Sequence, residues 1–259
     1  MQTEITEAHL NTPQGKEADA ILRSCVHCGF CLATCPTYQL VGDELDSPRG
    51  RIYLIKQVLE GETPTQKTQA HLDRCLTCRA CESTCPSGVQ YGRLVDIGRE
   101  LVEQKVSRSM PDRLLRGSLR YVLPRAGLFN SLLALGRVAR PVLPQMLKDK
   151  IPLKVAAGLW PTTTHKRKML LLDGCVQPGM APNINSATAR VLDKLGVTLV
   201  RADKVGCCGA ISHHLNAQHE ALEYVRRNID AWWPHIEAGA EAIVVTASGC
   251  GTMVQEYGH

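Results

Sequence analysis

A twelve-residue cysteine pattern occurs twice in this chain, fifty residues apart. Residues 25–36 are CVHCGFCLATCP and residues 75–86 are CLTCRACESTCP, so four cysteines, one threonine and one proline recur at the same positions. An internal repeat of this kind predicts two copies of one site. Because each copy crowds three thiols onto a short loop, the group that those thiols bind constrains the fold more than any other sequence feature.

Disulfides, zinc and iron–sulfur clusters are the three kinds of site that such a pattern could serve. Disulfides need an oxidising compartment, but the N-terminal MQTEITEAHLNTPQGKEADA has no basic segment followed by an apolar one. This start favours the cytoplasm, where thiols stay reduced. Structural zinc usually takes two cysteine pairs about a dozen or more residues apart. The observed spacing, C-x2-C-x2-C-x3-C-P, is instead typical of bacterial ferredoxins and predicts [4Fe-4S] clusters.

The same spacing predicts which cysteines share a cluster. In two-cluster ferredoxins the fourth cysteine of each motif ligates the cluster of the other motif. Pro36 and Pro86 lack a backbone N–H and restrict φ, so they should turn the chain away from the cluster. The predicted ligands are Cys25, Cys28, Cys31 and Cys85 for one cluster, and Cys75, Cys78, Cys81 and Cys35 for the other.

Overall charge and hydropathy identify no further partner. The formal net charge is +5, and two clusters of about −2 each would bring the loaded protein to about +1. We therefore expect no nucleic-acid partner. No apolar run reaches the roughly eighteen residues that a membrane-spanning helix needs.

Charge is concentrated between residues 105 and 168. This segment holds fourteen Lys or Arg against Asp112 and Asp149 alone, and prolines interrupt it repeatedly. The pattern predicts short amphipathic helices within a linker. The segment is either a solvated basic connector or a docking surface for an acidic partner subunit or anionic lipid.

After the linker, short apolar runs alternate with helical segments. KMLLLDGC, VTLV at 197–200 and AEAIVVTASGC are predicted strands, with helices predicted over 183–195 and 213–233, and this order predicts a parallel sheet. Four cysteines follow these strands, at the edge where open parallel sheets bind ligands. They are candidate ligands of a third iron–sulfur centre, or else small buried apolar residues: Cys175, Cys207, Cys208 and Cys250.

These elements predict an α+β chain of three parts. Residues 1–104 should form a mainly α-helical, two-cluster ferredoxin-like domain, residues 105–168 a basic helical linker, and residues 169–259 an α/β cysteine-rich domain with a parallel sheet. Arg49 and Arg51 are candidates to face the anionic clusters. His27, inside the first cysteine loop, is either a solvated side chain or a hydrogen-bond donor that tunes the cluster potential.

Several stretches resemble a known family. The spacing from Cys175 to Cys207-Cys208-Gly209 is similar to the cysteine-rich CCG domain of heterodisulfide-reductase-type proteins. Joined to two ferredoxin motifs, it resembles the iron–sulfur subunits of glycolate oxidase and of anaerobic glycerol-3-phosphate dehydrogenase. The glycolate oxidase type is favoured by ILRSCVHCGFCLATCPTYQL, GDELDSPRGRIYLIKQVLEG, HLDRCLTCRACESTCPSG, NIDAWWPHIEAGAEAI and TASGCG.

The sequence departs from that family in two places. Family members carry a second cysteine-rich repeat, whereas this sequence stops at EYGH after one, so it is either truncated or a short variant. Met253 occupies a position where some CCG domains have a cysteine, and a thioether is a poor substitute for a thiolate. This difference weighs against a third cluster.

The resemblance implies an oxidoreductase subunit that transfers electrons. Partner subunits containing FAD would oxidise glycolate to glyoxylate, and this chain would pass electrons to a quinone or another acceptor, in the cytoplasm or at the inner face of the membrane. The sequence contains no dinucleotide-binding fingerprint, P-loop or nucleophile elbow, which agrees with substrate chemistry in the partner. The alternatives are a glycerol-3-phosphate dehydrogenase subunit, heterodisulfide-reductase-like disulfide chemistry, and a zinc scaffold.

Overall fold

The computed structural model describes residues 1–258, which form two compact units. The first unit is Met1–Met110, and the second begins at Pro111. The first unit is helical, and the second combines helices with a three-stranded parallel sheet. The predicted α+β fold class is therefore confirmed. The finer division at residues 104 and 168 stays a prediction.

In chain order, the helices and strands have the following bounds. The first unit contains α1 (Glu7–Leu10), α2 (Pro13–Ser24), α3 (Pro36–Val41), α4 (Pro48–Leu59), α5 (Gln66–Asp73), α6 (Ala80–Ser83) and α7 (Tyr91–Lys105), with 3-10 helices at Phe30–Leu32 and Glu44–Asp46. Next come α8 (Met110–Val122), α9 (Ala126–Ala139), a 3-10 helix at Arg140–Val142 and α10 (Gln145–Lys148). The sheet region contains β1 (Arg167–Leu172), α11 (Gln177–Met180), α12 (Pro182–Lys194), β2 (Val197–Val200), α13 (Ala210–His214), α14 (Gln218–Glu237), β3 (Ile243–Val245) and α15 (Ser248–Gln255).

Four helices build the core of the first unit. α2, α4 and α5 each pack against α7, and they bury Leu22, Ile55, Leu72 and Leu94 almost completely. Burial of large apolar side chains contributes about 1.5–3 kcal/mol each. α2 ends immediately before the first cysteine motif and α5 ends immediately before the second. The helical core therefore fixes where both cysteine loops begin.

The sheet of the second unit has the strand order β2-β1-β3, and both pairings are parallel. The central strand β1 pairs Leu170 with Val200 on one side and with Ile243 on the other. Leu170, Leu171 and Leu172 are all buried, as expected for a strand that is covered on both faces. The predicted parallel sheet is confirmed.

Two details of the second unit differ from the sequence prediction. The helix predicted over 213–233 is two helices, because Asn216 adopts a left-handed conformation with φ of 59° between α13 and α14. Hydrophobic periodicity does not detect a single left-handed residue. The apolar Trp232 and Trp233, at the end of that predicted helix, would both be expected in the core, but only Trp232 is buried, where it stacks on Tyr257; Trp233 is 54% exposed.

The segment after residue 105 forms the predicted amphipathic helices, but with an unexpected orientation. Arg120 of α8 pairs with Glu220 at 2.6 Å, so a charged side of the helix faces the protein. Leu114 and Leu115 on the same helix are 68% and 57% exposed. Apolar side chains therefore face solvent along α8. Within residues 1–258, no helix combines the length and apolar character that crossing a membrane requires.

We expect Gly98→Ala to destabilise the first unit. A Cβ at this position of α7 would lie 2.5 Å from Ile55 of α4, and overpacking typically costs about 1–3 kcal/mol. Gly117→Ala is the matched control, because no atom lies within 4 Å of a Cβ placed on this other helical glycine, and the change should stabilise α8 by about 0.5–1 kcal/mol. Anaerobic thermal unfolding, followed by circular dichroism, measures both. Equal melting temperatures for the two variants would contradict the close packing of α4 and α7.

Candidate iron–sulfur sites

Both cysteine loops contain residues in the left-handed backbone conformation, at equivalent positions of the repeat. His27 and Gly29 have φ of 56° and 84° in the first loop, and Thr77 and Arg79 have φ of 51° and 56° in the second. Glycine adopts this conformation readily, whereas other residues adopt it at a cost. The repeat is therefore present in the backbone conformation as well as in the sequence. The recurrence of these angles indicates that both loops wrap around the same kind of ligand.

The first pocket is enclosed by the first loop and by one cysteine from the second motif. Cys25, Cys28, Cys31 and Cys85 line an open pocket. Cys81 also borders it. The structure thus brings together the four residues that the ferredoxin spacing groups into one set.

The second pocket shows the reciprocal exchange. Cys75, Cys78 and Cys81 of the second loop line a pocket together with Cys35 of the first motif. Pro36 is the first residue of α3, where its missing N–H costs no helical hydrogen bond. Pro36 itself and Thr37 also line this pocket, so the chain stays beside it directly after Cys35.

The donor atoms of both pockets suit iron–sulfur clusters. All twelve cysteines are free thiols, and several sulfurs accept hydrogen bonds: Thr77 N–H to Cys75 Sγ at 3.4 Å, Val89 N–H to Cys85 Sγ at 3.5 Å, and Tyr91 Oη–H to Cys75 Sγ at 3.6 Å. Burial and the neighbouring Cys75 raise the pKa of Cys81 to about 12. Thiols that resist ionisation alone become thiolates when they bind a metal. The residues present therefore fit the clusters that the motifs predict.

Arginines border both pockets. Arg49 lines the first pocket, and Arg51 and Arg79 line the second; Arg49 and Arg51 are the two that the sequence proposed. His27 also lines the first pocket, but its Nε2 atom has no hydrogen-bond partner among the described residues. Burial and the nearby Arg49 lower the pKa of His27, so its neutral form is favoured.

The other four cysteines meet at the carboxyl edge of the sheet. Cys175 follows β1, Cys207 and Cys208 follow β2, and Cys250 lies in the first turn of α15 after β3. The neighbouring thiols of Cys175 and Cys208 lower the pKa of Cys207. The same contact with Cys207 raises the pKa of Cys175 and of Cys208. The four thiols are therefore one interacting group, as the sheet topology predicts.

A buried asparagine that the sequence analysis missed fixes the Cys207–Cys208 loop. Asn228 of α14 is fully buried, accepts from Gly206 N–H at 2.9 Å and donates to the Cys207 carbonyl at 2.9 Å. It also donates to Tyr257 Oη, which in turn donates to the Cys208 carbonyl at 2.8 Å. A buried amide with this many partners positions the loop rigidly. No short motif connects Asn228 to the cysteines, so pattern reasoning could not find it.

A second polar network joins β1 and β3 beside the same cysteines. Gln177 donates to Asn185 at 2.8 Å and to Thr246 at 2.6 Å, and Asn185 donates to the Asp173 carboxylate at 2.9 Å. Asp173 and Gln177 flank Cys175 in the sequence, and Thr246 lies shortly before Cys250. Met253 is buried in the adjacent apolar core, so its side chain serves packing.

Models of two known domain families match separate parts of the chain. A 4Fe-4S dicluster domain matches residues 21–89, and a cysteine-rich domain matches residues 169–255. The chain therefore carries an iron–sulfur domain and a cysteine-rich domain. Their order agrees with the two pockets in the first unit and with the thiol group in the second.

Curated relatives extend the similarity over the whole sequence. The chain is 61% identical over 259 residues to the glycolate oxidase iron-sulfur subunit of Escherichia coli, covering all of this chain and 64% of the relative. It is 33% identical to a probable glycolate oxidase iron-sulfur subunit of Bacillus subtilis, over 92% of this chain and 59% of the relative. A heterodisulfide reductase subunit of Methanosarcina acetivorans is 26% identical, over 88% and 56%. The chain thus spans about six-tenths of these relatives, and no solved structure matches it.

We expect Asn228→Ala to destabilise the second unit and to loosen the Cys207–Cys208 loop. The substitution leaves the Gly206 N–H and the Cys207 carbonyl without this partner, and each buried unsatisfied group costs about 1–3 kcal/mol. Tyr257→Phe is the milder control, because it removes one hydroxyl. Thermal unfolding and the rate of thiol alkylation measure the effects. Unchanged alkylation of Cys207 and Cys208 in Asn228→Ala would show that Asn228 does not hold the loop.

Proposed function

We propose that eight cysteines ligate two [4Fe-4S] clusters with exchanged fourth ligands. Cys25, Cys28, Cys31 and Cys85 hold the first cluster, and Cys75, Cys78, Cys81 and Cys35 hold the second. The observation that carries this assignment is the lining of the two pockets by these two sets. When bound, each cluster accepts and releases one electron at a time.

On this basis the chain acts as the electron-transfer subunit of a glycolate oxidase. The 61% identity to a glycolate oxidase iron-sulfur subunit over the whole chain supports this function. Flavoprotein subunits with FAD oxidise glycolate to glyoxylate, and this chain conducts their electrons to a quinone or another acceptor. Its own residues hold the clusters, shield them from water and adjust their potentials.

A test of this function begins with the complex. The chain, co-expressed with candidate flavoprotein subunits, should co-purify with them, and glycolate should bleach its iron–sulfur absorbance under anaerobic conditions. Bleaching by glycerol 3-phosphate and not by glycolate would instead favour the subunit of an anaerobic glycerol-3-phosphate dehydrogenase.

Heterodisulfide-type chemistry is the second candidate, because a heterodisulfide reductase subunit is among the relatives and four thiols meet in the second unit. Disulfide turnover by the loaded chain, abolished in Cys208→Ser, would favour it.

The exchange of ligands makes a paired prediction. Cys85→Ala and Cys25→Ala should leave the same residual EPR spectrum, because both remove a ligand of the first cluster. Cys35→Ala and Cys75→Ala should share the other residual spectrum. Low-temperature EPR of the dithionite-reduced chain measures this, with iron analysis as the measure of loading. If Cys85→Ala resembles Cys75→Ala, each motif holds its own fourth ligand and the exchange is wrong.

Cys175, Cys207, Cys208 and Cys250 form the proposed ligand set of a third iron–sulfur centre. Their placement together at the carboxyl edge of the sheet, where each influences the pKa of another, supports this role. Three four-iron centres give about twelve irons per chain, and Cys208→Ser should lower this to about eight. An iron content of about eight in the unsubstituted chain would leave the group without a centre.

The exposed apolar side of α8 supports a peripheral position at an anionic membrane surface. Leu114 and Leu115 are exposed there, within a segment rich in Lys and Arg, and apolar insertion combined with basic residues is typical of helices that lie on a bilayer. An acidic partner subunit is the alternative occupant of this surface.

Leu114→Ser combined with Leu115→Ser should weaken binding of the loaded chain to phosphatidylglycerol-containing vesicles about tenfold or more, because each leucine contributes about 1.5–3 kcal/mol when buried. Leu195→Ser, at a 65% exposed position of the same unit, is the control and should change little. Vesicle co-sedimentation measures this. Intact vesicle binding combined with loss of flavoprotein co-purification would assign the surface to the partner.

A further inference from the structure

A buried arginine borders the second cysteine pocket. Arg51 lines this pocket together with Cys35, Cys75 and Cys78, and its side chain is only 1% exposed. A buried guanidinium keeps its positive charge and loses most of its hydration. Its field therefore acts on the pocket with little screening by water.

A network of buried partners holds Arg51 in place. Its guanidinium pairs with the fully buried Asp46 at 3.3 Å and donates from Nε to the His71 carbonyl at 2.7 Å. Asp46 also pairs with Arg74 at 2.8 Å and contacts His71 Nδ1 at 3.1 Å. One carboxylate thus faces two guanidiniums, and the group keeps a net positive charge. Replacing a buried ion pair by apolar residues is often neutral or stabilising, so stability alone does not account for this network.

The network reaches a predicted ligand through a hydroxyl group. Arg51 Nη1 donates to Thr37 Oγ1 at 3.1 Å, and Thr37 Oγ1 lies 3.2 Å from Cys35 Sγ. Thr37 also donates to the Asp46 carbonyl at 2.9 Å. Arg51 and Asp46 therefore fix the rotamer of Thr37, and through it the surroundings of the Cys35 sulfur.

The first pocket has a different electrostatic environment. Its arginine, Arg49, is 35% exposed and pairs with Glu44, which is 44% exposed, at 2.8 Å. Water and salt screen such a pair, and its two charges offset one another. The two pockets therefore offer the same kind of donor set in unequal fields.

We propose that Arg51, held by Asp46, is a positioning residue for Thr37 and Cys35 and raises the reduction potential of the second cluster above that of the first. The physical reason is that a reduced cluster carries one more negative charge, which a nearby buried cation stabilises. Transfer of one electron from a reduced first cluster to an oxidised second cluster would then be favourable, since the second would have the higher potential. The inference rests on the proposed ligand sets.

The test is an EPR-monitored redox titration of the full chain with both clusters loaded. Arg51→Met should make reduction of the second cluster at least tenfold less favourable, a downward shift of about 59 mV, because Met fills similar space without charge. Asp46 keeps Arg74 and His71 as partners and is not left alone. Arg51→Lys should restore part of the potential. Arg49→Met is the matched control and should change the equilibrium constant for reduction of the second cluster by less than about twofold.

If Arg51→Met fails to bind its second cluster, two further variants test whether the charges of this network set the potential of that cluster. Asp46→Asn removes the opposing negative charge and should shift the second potential upward, whereas Arg74→Gln removes the other guanidinium that pairs with Asp46 and should shift it downward. Opposite signs would not arise from general loosening of the site. Unchanged potentials in the loaded variants would overturn the proposal.

The residual spectra of Cys25→Ala and Cys75→Ala identify which cluster has shifted. A shift confined to the cluster that Cys25→Ala removes would overturn this inference and leave the two-cluster relay standing. Failure of the unsubstituted chain to bind iron would instead overturn the proposed function itself.

Discussion

The first unit depends on the crossing of its two cysteine motifs. Each pocket is lined by three cysteines of one motif and by at least one cysteine of the other, so each needs both motifs in place. The helices explain how this is achieved, because α2 and α5 end directly before the loops and both pack against α7. Both cysteine loops therefore follow helices of one core, and binding of a metal group by thiols of both loops would stabilise that core.

The second unit brings thiols together by another route. Parallel strands end at one edge of the sheet, so loops that are far apart in sequence meet without a dedicated cysteine motif. Such loops need their own anchors. Asn228 and Tyr257 provide them for Cys207 and Cys208 by bonding to main-chain atoms, which leaves the sulfur atoms available.

The sequence predicted the parts of this protein that depend on spacing and periodicity. Cysteine spacing grouped the residues that line each pocket, and alternating apolar runs predicted the parallel sheet. Long-range polar contacts were beyond such reasoning, because Asn228 lies 21 residues from Cys207 and no local pattern joins them. Burial was also beyond it: Arg49 and Arg51 are two residues apart and equally charged, yet one is 35% exposed and the other 1%. The left-handed conformation of Arg79 was equally hidden, since the first loop uses glycine at that position.

The two pockets can differ because some residues that border them are not part of the repeat. Thr37 follows Pro36 and Ser87 follows Pro86, so a hydroxyl recurs beside each pocket. The cation does not recur, because the residue fifty positions after Arg51 is Leu101. A relay needs unequal potentials, but changing a cysteine to obtain them would endanger the cluster itself. A buried charge outside the motif changes the field and keeps every ligand, which makes Arg51 and Asp46 the place where the two halves of the repeat can diverge safely.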